Sequence, residues 1–161
     1  MRVKLAFLAG TACLGACAPL PRDFTTAEAD DLFRDRTVLY RDWQHGNQIE
    51  YYAPNGIAYL WYPGNQQVVP SRWSIPDSRR ICFQYPSQSY NPVTGGRGGK
   101  LDCRSLAYQA SRQTDRVPGD VFGLSRSPRV PRVLQASENI TLPRQPVPTE
   151  LPPAAPVTRA D

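Results

Sequence analysis

The stretch "EYYAPNGIAYLWY", residues 50–62, constrains this chain more than any other. Pro54 suits the second position of a type I turn and Asn55 the third. Gly56 suits the left-handed residue that follows, so the chain must double back here as a bulged hairpin. The flanks carry Tyr51, Tyr52, Ile57, Tyr59, Leu60, Trp61 and Tyr62, which fit a pleated surface. The second flank is apolar on both faces. That predicts a strand covered on both sides, as in a small barrel or a sheet capped by a helix.

The neighbouring sequence repeats this texture. "TVLYRDW" and "QIEYYA" are two strand-like runs joined by "QHGN", a plausible turn. "VVPSRWSI" follows the turn "PGNQQ", with Pro70 marking a bulge or an edge. After "PDSR", "RICFQY" alternates with Ile81, Phe83 and Tyr85 on one face. A long loop, "PSQSYNPVTGGRGGK", interrupts the meander. "LDCRSLAYQA" resumes it, a polar stretch follows, and "VPGDVFGL" reads as a last turn and short strand.

One helix precedes the strands. In "TTAEADDLFRDRT", Thr25 and Glu28 match the Ser/Thr-x-x-Glu capping box, and acids crowd the first turns, where the helix dipole favours them. Leu32 and Phe33 are its expected buried contacts. The fold class is therefore all-β: a small antiparallel meander or barrel of six to seven short strands, with one short N-terminal helix and a disordered C-terminal tail. The β-domain is expected over residues 25–127. Residues 128–161 hold eight of the 17 prolines and few large apolar side chains, which predicts disorder.

The N-terminus says where the chain works. Arg2 and Lys4 give a basic start, and Leu5 to Ala16 carry no charge. This is the pattern of a secretory signal peptide, and the run is too short to span a bilayer. Leu14-Gly15-Ala16-Cys17 resembles the bacterial lipobox: an aliphatic residue, two small residues and the cysteine to be modified. The resemblance implies that residues 1–16 are removed, that Cys17 is acylated, and that residues 17–24 form a tether. Two or three acyl chains anchor a protein stably where one does not. Ala18, where the inner-membrane retention signal of such lipoproteins has Asp, implies delivery to the outer membrane, facing the periplasm. Cys13 is discarded with the signal.

Export also sorts the remaining cysteines. Cys82 and Cys103 are the two left in the domain, and an oxidising compartment predicts a disulfide between them. With His45 they are too few ligands for a zinc site. The formal net charge of +5 falls when Arg2 and Lys4 leave, so nucleic acid is not an expected partner. Charge is uneven: residues 23–50 are acidic and residues 72–116 basic, which predicts attraction between the two halves within one fold.

Few residues point to chemistry. His45 is the only histidine, it falls in a turn read as solvated, and no second one exists to activate a serine or cysteine nucleophile. "GGRGGK", residues 95–100, is glycine-rich with Arg97 and Lys100. It lacks the P-loop spacing and reads as a surface loop. Neither a cofactor nor catalysis is expected. The aromatic hairpin is the candidate binding surface, with Tyr52 and Tyr62 on its outward face opposite the more apolar row of Ile57, Tyr59 and Trp61. The expected partners are the membrane, through Cys17, and an envelope protein or a glycan. The leading expectation is a non-enzymatic envelope lipoprotein, followed by a small-molecule or glycan-binding barrel and then an enzyme.

"YYAPNGIAYLW", "SRWSI" followed by "RICFQY", Cys103 and "GDVFGL" together resemble a proteobacterial family of small exported proteins of unknown function. That resemblance covers about residues 37–124. It implies an exported β-domain and carries over no catalytic or binding residue.

Overall fold

A computed structural model of the 161-residue chain describes residues 23–144. The signal segment 1–16, Cys17 and most of the expected tether lie outside the described residues, as do residues 145–161 of the expected tail.

Helix α1, Thr26–Phe33, begins where the capping box places it. The Thr25 side chain accepts the Glu28 N–H, and the Glu28 carboxylate accepts the Thr25 N–H at 2.8 Å. Two donors that no helix bond can satisfy are thereby satisfied. The helix buries Ala29 and Phe33, while Leu32 is half-buried. It ends at Phe33 with Arg34 as its C-cap, and Asp35 then turns the chain with a φ of +53° into the first strand.

Seven strands follow: β1 (Arg36–Asp42), β2 (Gly46–Tyr52), β3 (Ile57–Trp61), β4 (Val69–Asp77), β5 (Arg80–Gln84), β6 (Leu101–Ser105) and β7 (Gln113–Pro118). All pairs are antiparallel, in the order β6-β5-β4-β3-β2-β1-β7. This is a meander whose last strand returns to the free side of β1. The sheet curls into a half-barrel, with β6 and β7 as its two edges. The β2–β3 hairpin forms as its sequence dictates: Gly56 has a φ of +81°, and the Ala53 N–H donates to the Ile57 carbonyl at 2.9 Å.

Alternation divides the sheet into two apolar faces. One carries Val38, Tyr40, Tyr52, Trp73, Ile81 and Phe83, and α1 covers it with Ala29 and Phe33. The other carries Leu39, Ile49, Tyr51, Trp61 and Val117. Its cover corrects the sequence reading. Order does not end at Ser127: residues 128–144 run back across this face and bury Leu134, Ile140 and Leu142 beside Leu124. Three aliphatic side chains, spaced six and two residues apart among prolines, are enough to anchor an irregular segment. Each contributes roughly 1.5–3 kcal/mol when fully buried.

Two local readings also change. "LAYQAS" does not continue the meander; it is a short helix, α2 (Leu106–Ser111), capped by Ser105 and plugging Leu106 into the α1 side of the core. The last strand is the polar run "QTDRVP", and "GDVFGL" is a turn organised by the Asp120 carboxylate, which accepts the N–H groups of Leu124 and Ser125. The acidic and basic halves do meet. Arg112 pairs with Asp42, Arg79 with Asp23 at 2.8 Å, and Arg116 with Asp31 at 3.6 Å.

Candidate functional site

The two cysteines of the domain sit opposite each other on neighbouring strands. Cys82 of β5 pairs in register with Cys103 of β6, and their sulfurs are bonded. The bridge ties the edge strand β6, whose side chains are mostly exposed, to the buried strand β5.

Tyr52 is not on an outward face. It is fully buried, packed edge-on against Phe33 and Trp73 with ring centroids 5.2 and 5.3 Å away. The alternation of the hairpin was correct, but α1 lies on the row read as outward. Tyr62 is half-buried beyond the end of β3, and its hydroxyl lies 2.9 Å from His45 Nδ1. His45 is therefore held in the turn rather than simply solvated. Tyr52 and Tyr62 do not share a surface.

Tyr52 belongs to a buried polar cluster instead. Its hydroxyl donates to Glu50 Oε2 at 2.7 Å, and the Tyr40 hydroxyl lies 2.7 Å from the Tyr52 hydroxyl. A phenol has one proton, and Tyr52 gives its proton to the carboxylate, so Tyr40 is the donor to Tyr52. Glu50 is 3% exposed. Both nearby guanidiniums are committed elsewhere: Arg112 to Asp42, with its plane over Tyr40, and Arg104 to Asp102, over Phe83. Among the described residues no donor or acceptor lies within hydrogen-bond geometry of Glu50 Oε1, Ser71 Oγ or Gln109 Oε1, all buried, although the Tyr85 hydroxyl is near enough to Glu50 to favour its ionised form.

The electrostatics follow from burial. Desolvation pushes the Glu50 carboxyl up from its ordinary 4.5 to about 7, against the Tyr52 hydrogen bond and the two arginines, which favour its ionised form. Burial and the Glu50 charge raise the phenols of Tyr52 and Tyr85, and Tyr40 likewise. The cluster can hold or release one proton near neutral pH. Glu50 lines neither of the two clefts described below, so this proton is not offered to a ligand there.

Those clefts lie at the start of β4: one of about 460 Å³ between residues 65–70 and Pro86, Gln88 and Ser89, the other of about 330 Å³ beside Ile57, residues 70–72, residues 84–87 and Gly99. The loop containing "GGRGGK" forms part of their wall. Gly98 passes so close to Pro86 that a Cβ there would stand 2.1 Å from the Pro86 carbonyl oxygen. Arg97 and Lys100 point outward, as a surface loop requires. Trp43, at the tip of the β1–β2 turn, is 91% exposed.

Sequence reasoning missed Glu50 and the clefts. A lone acid inside the strand run "QIEYYA" was the available signal for the first. The second was written in Pro70, which reads from sequence as a bulge or an edge, and in Pro86, which drew no reading of its own. No family model, no curated protein and no solved structure matches this chain.

Proposed function

We propose that this chain is a non-enzymatic envelope lipoprotein: a β-domain tethered to the outer membrane through acylated Cys17, facing the periplasm and binding an envelope partner there. The observation that carries the reading is the Cys82–Cys103 disulfide. Such bonds persist in oxidising compartments, so the bridge agrees with the secretion signal and lipobox-like sequence at the other end of the chain. Both faces of the sheet are covered by the chain itself, one by α1 and the other by Leu124, Leu134, Ile140 and Leu142, which favours binding on the outside over an enclosed ligand chamber. The buried Glu50 is sealed within the fold, so its proton serves the fold rather than a reaction.

Growing cells on radioactive palmitate tests the tether. Labelled protein that loses its label in Cys17→Ser supports it, and equal labelling of the two rejects it. A second reading, binding of a small molecule or a glycan, is favoured by one specific observation: the open clefts beside Pro70 and Pro86.

A further inference from the structure

The β4–β5 ladder stops abruptly. Arg72 pairs with Gln84 and Trp73 with Phe83. The next pair of the same kind would be Pro70 with Pro86. Neither proline has an N–H to give, so the ladder cannot continue. Residues 65–70 and 86–89 therefore splay apart. Pro70 and Pro86 line both of the clefts found there, which together make up the groove.

The lining of this groove has a definite chemistry. Its apolar lining comes from Ile57, Val68, Val69 and the two prolines. Its walls carry the carboxamides of Asn65, Gln66, Gln67, Gln84 and Gln88 and the hydroxyls of Ser87 and Ser89. Among the described residues no acid lines it, and Arg72 is the one charged side chain in its lining. The side-chain amides of Asn65, Gln66 and Gln67 make no hydrogen bond among the described residues.

Several ligand classes fit this lining poorly. A metal cation would need carboxylates. A polyanion would need more than Arg72. An added β-strand would need the N–H groups that Pro70 and Pro86 lack. A polyproline segment would need a groove lined with aromatic rings, whereas only Tyr85 is present and its ring packs toward the core. What remains is a neutral chain that is apolar on its ring faces and covered at its rims with groups that both donate and accept. Each carboxamide offers two donors and an acceptor to such groups.

We propose that the groove between Pro70 and Pro86 binds an uncharged glycan strand, its pyranose faces on the proline and aliphatic lining and its hydroxyl and acetamido groups on Asn65, Gln66 and Gln67. The source is the cell wall, an assignment that rests on reading the chain as an envelope lipoprotein. The fold presents the groove toward it. The Phe24 N–H bonds the Ser78 carbonyl at 3.1 Å, so the tether leaves at the β4–β5 turn. The groove lies at the opposite end of β4, roughly 25 Å away at about 3.3 Å per residue.

The test uses the full chain purified in detergent, assayed for cosedimentation with purified cell-wall sacculi. Hexa-N-acetylchitohexaose, a soluble acetamido-sugar chain, is the competitor, and dextran is the control for a generic polysaccharide. The variant is Gln66→Ala with Gln67→Ala, both exposed residues, and its melting temperature is measured alongside. Binding to sacculi that chitohexaose displaces, weakened at least tenfold in the variant at unchanged melting temperature, is the expected result. Unchanged binding in the variant, equal displacement by dextran, binding to the wall's peptides alone, or no binding would each overturn the assignment. Should the double variant melt early, Gln88→Ala on the facing wall is read in the same way. The palmitate label is read on the same preparation: acylated protein blind to the glycan overturns only the groove, and unacylated protein that binds it overturns only the tether.

Discussion

The Asn47 N–H donates to the Ala136 carbonyl at 2.8 Å, and this one bond joins the first hairpin to the segment read from sequence as a disordered tail. Asn47 is buried, and its Nδ2 also donates to the Glu138 carbonyl at 2.6 Å and the Gln135 carbonyl at 3.3 Å. Next to it, Gly46 has a φ of +68°, and a Cβ there would lie 2.6 Å from Ala136. The β1–β2 turn is thus shaped as a seat for the returning chain.

Truncation after Ser127 is therefore expected to destabilise the domain severely. It would expose the face carrying Leu39, Ile49 and Trp61. Leu134→Ala alone should cost about 2–5 kcal/mol. Gly46→Ala should also lower the melting temperature, since it brings both a clash and an unfavourable φ. Thermal unfolding followed by circular dichroism checks all three, and an unchanged melting temperature on truncation would refute this role of the segment.

Glu50 makes the stability of the fold depend on pH. Its pKa is about 7 in the fold against an ordinary 4.5, so between those values the folded protein holds a proton that the unfolded chain has lost. Stability from this group is then greatest below about 4.5 and falls as pH rises toward 7. At about 1.4 kcal/mol per tenfold change in proton affinity, the loss is roughly 3 kcal/mol. Glu50→Gln keeps the shape and removes the ionisation. Its urea midpoint is expected to vary less over pH 4.5–7 than that of the parent, and to exceed it at pH 8. Parallel profiles for the two proteins would contradict the buried charge.

The Cys82–Cys103 bridge closes a separation of 21 residues. On loop-closure entropy alone this stabilises the fold by roughly 3 kcal/mol. Cys82→Ala with Cys103→Ala is expected to lose about that much. Hydrogen exchange should quicken first in β6, the edge strand that the bridge holds. A change confined to the opposite edge, β7, would count against this placement.

The strands from Arg36 to Gln84 were legible because each short apolar run is bounded by proline, glycine or asparagine, and α1 because Thr25 and Glu28 form its cap. The faces were not legible. Nothing local to Tyr52 says that α1 will lie over it, since that contact joins residues far apart in sequence. The 128–144 segment was misread because its few aliphatic residues gain their burial from a distant sheet face, and composition alone registers only the prolines. The groove at Pro70 arises only when Pro86 arrives opposite, a relation of register between two strands.

Tyr52→Ala is accordingly expected to act on stability, costing about 3–5 kcal/mol as for other buried aromatic truncations. Tyr52→Phe isolates the hydroxyl. It removes the 2.7 Å hydrogen bond from Tyr52 to the Glu50 carboxylate and should cost about 1–3 kcal/mol above pH 7, and less at pH 5, where Glu50 is neutral. Tyr62→Phe, which loses only the half-buried bond to His45, should cost less than either. Equal losses from Tyr52→Phe at pH 5 and pH 8 would separate Tyr52 from the Glu50 charge.

The mass of the N-terminal peptide of the protein purified from membranes tests the tether through Cys17 most directly. The expected peptide begins at Cys17 and carries the mass of a diacylglycerol thioether, with a further acyl chain on its new amine. A peptide beginning at Met1, or one beginning near residue 17 with no added lipid mass, would contradict the tether and with it the proposed place of this domain in the cell envelope.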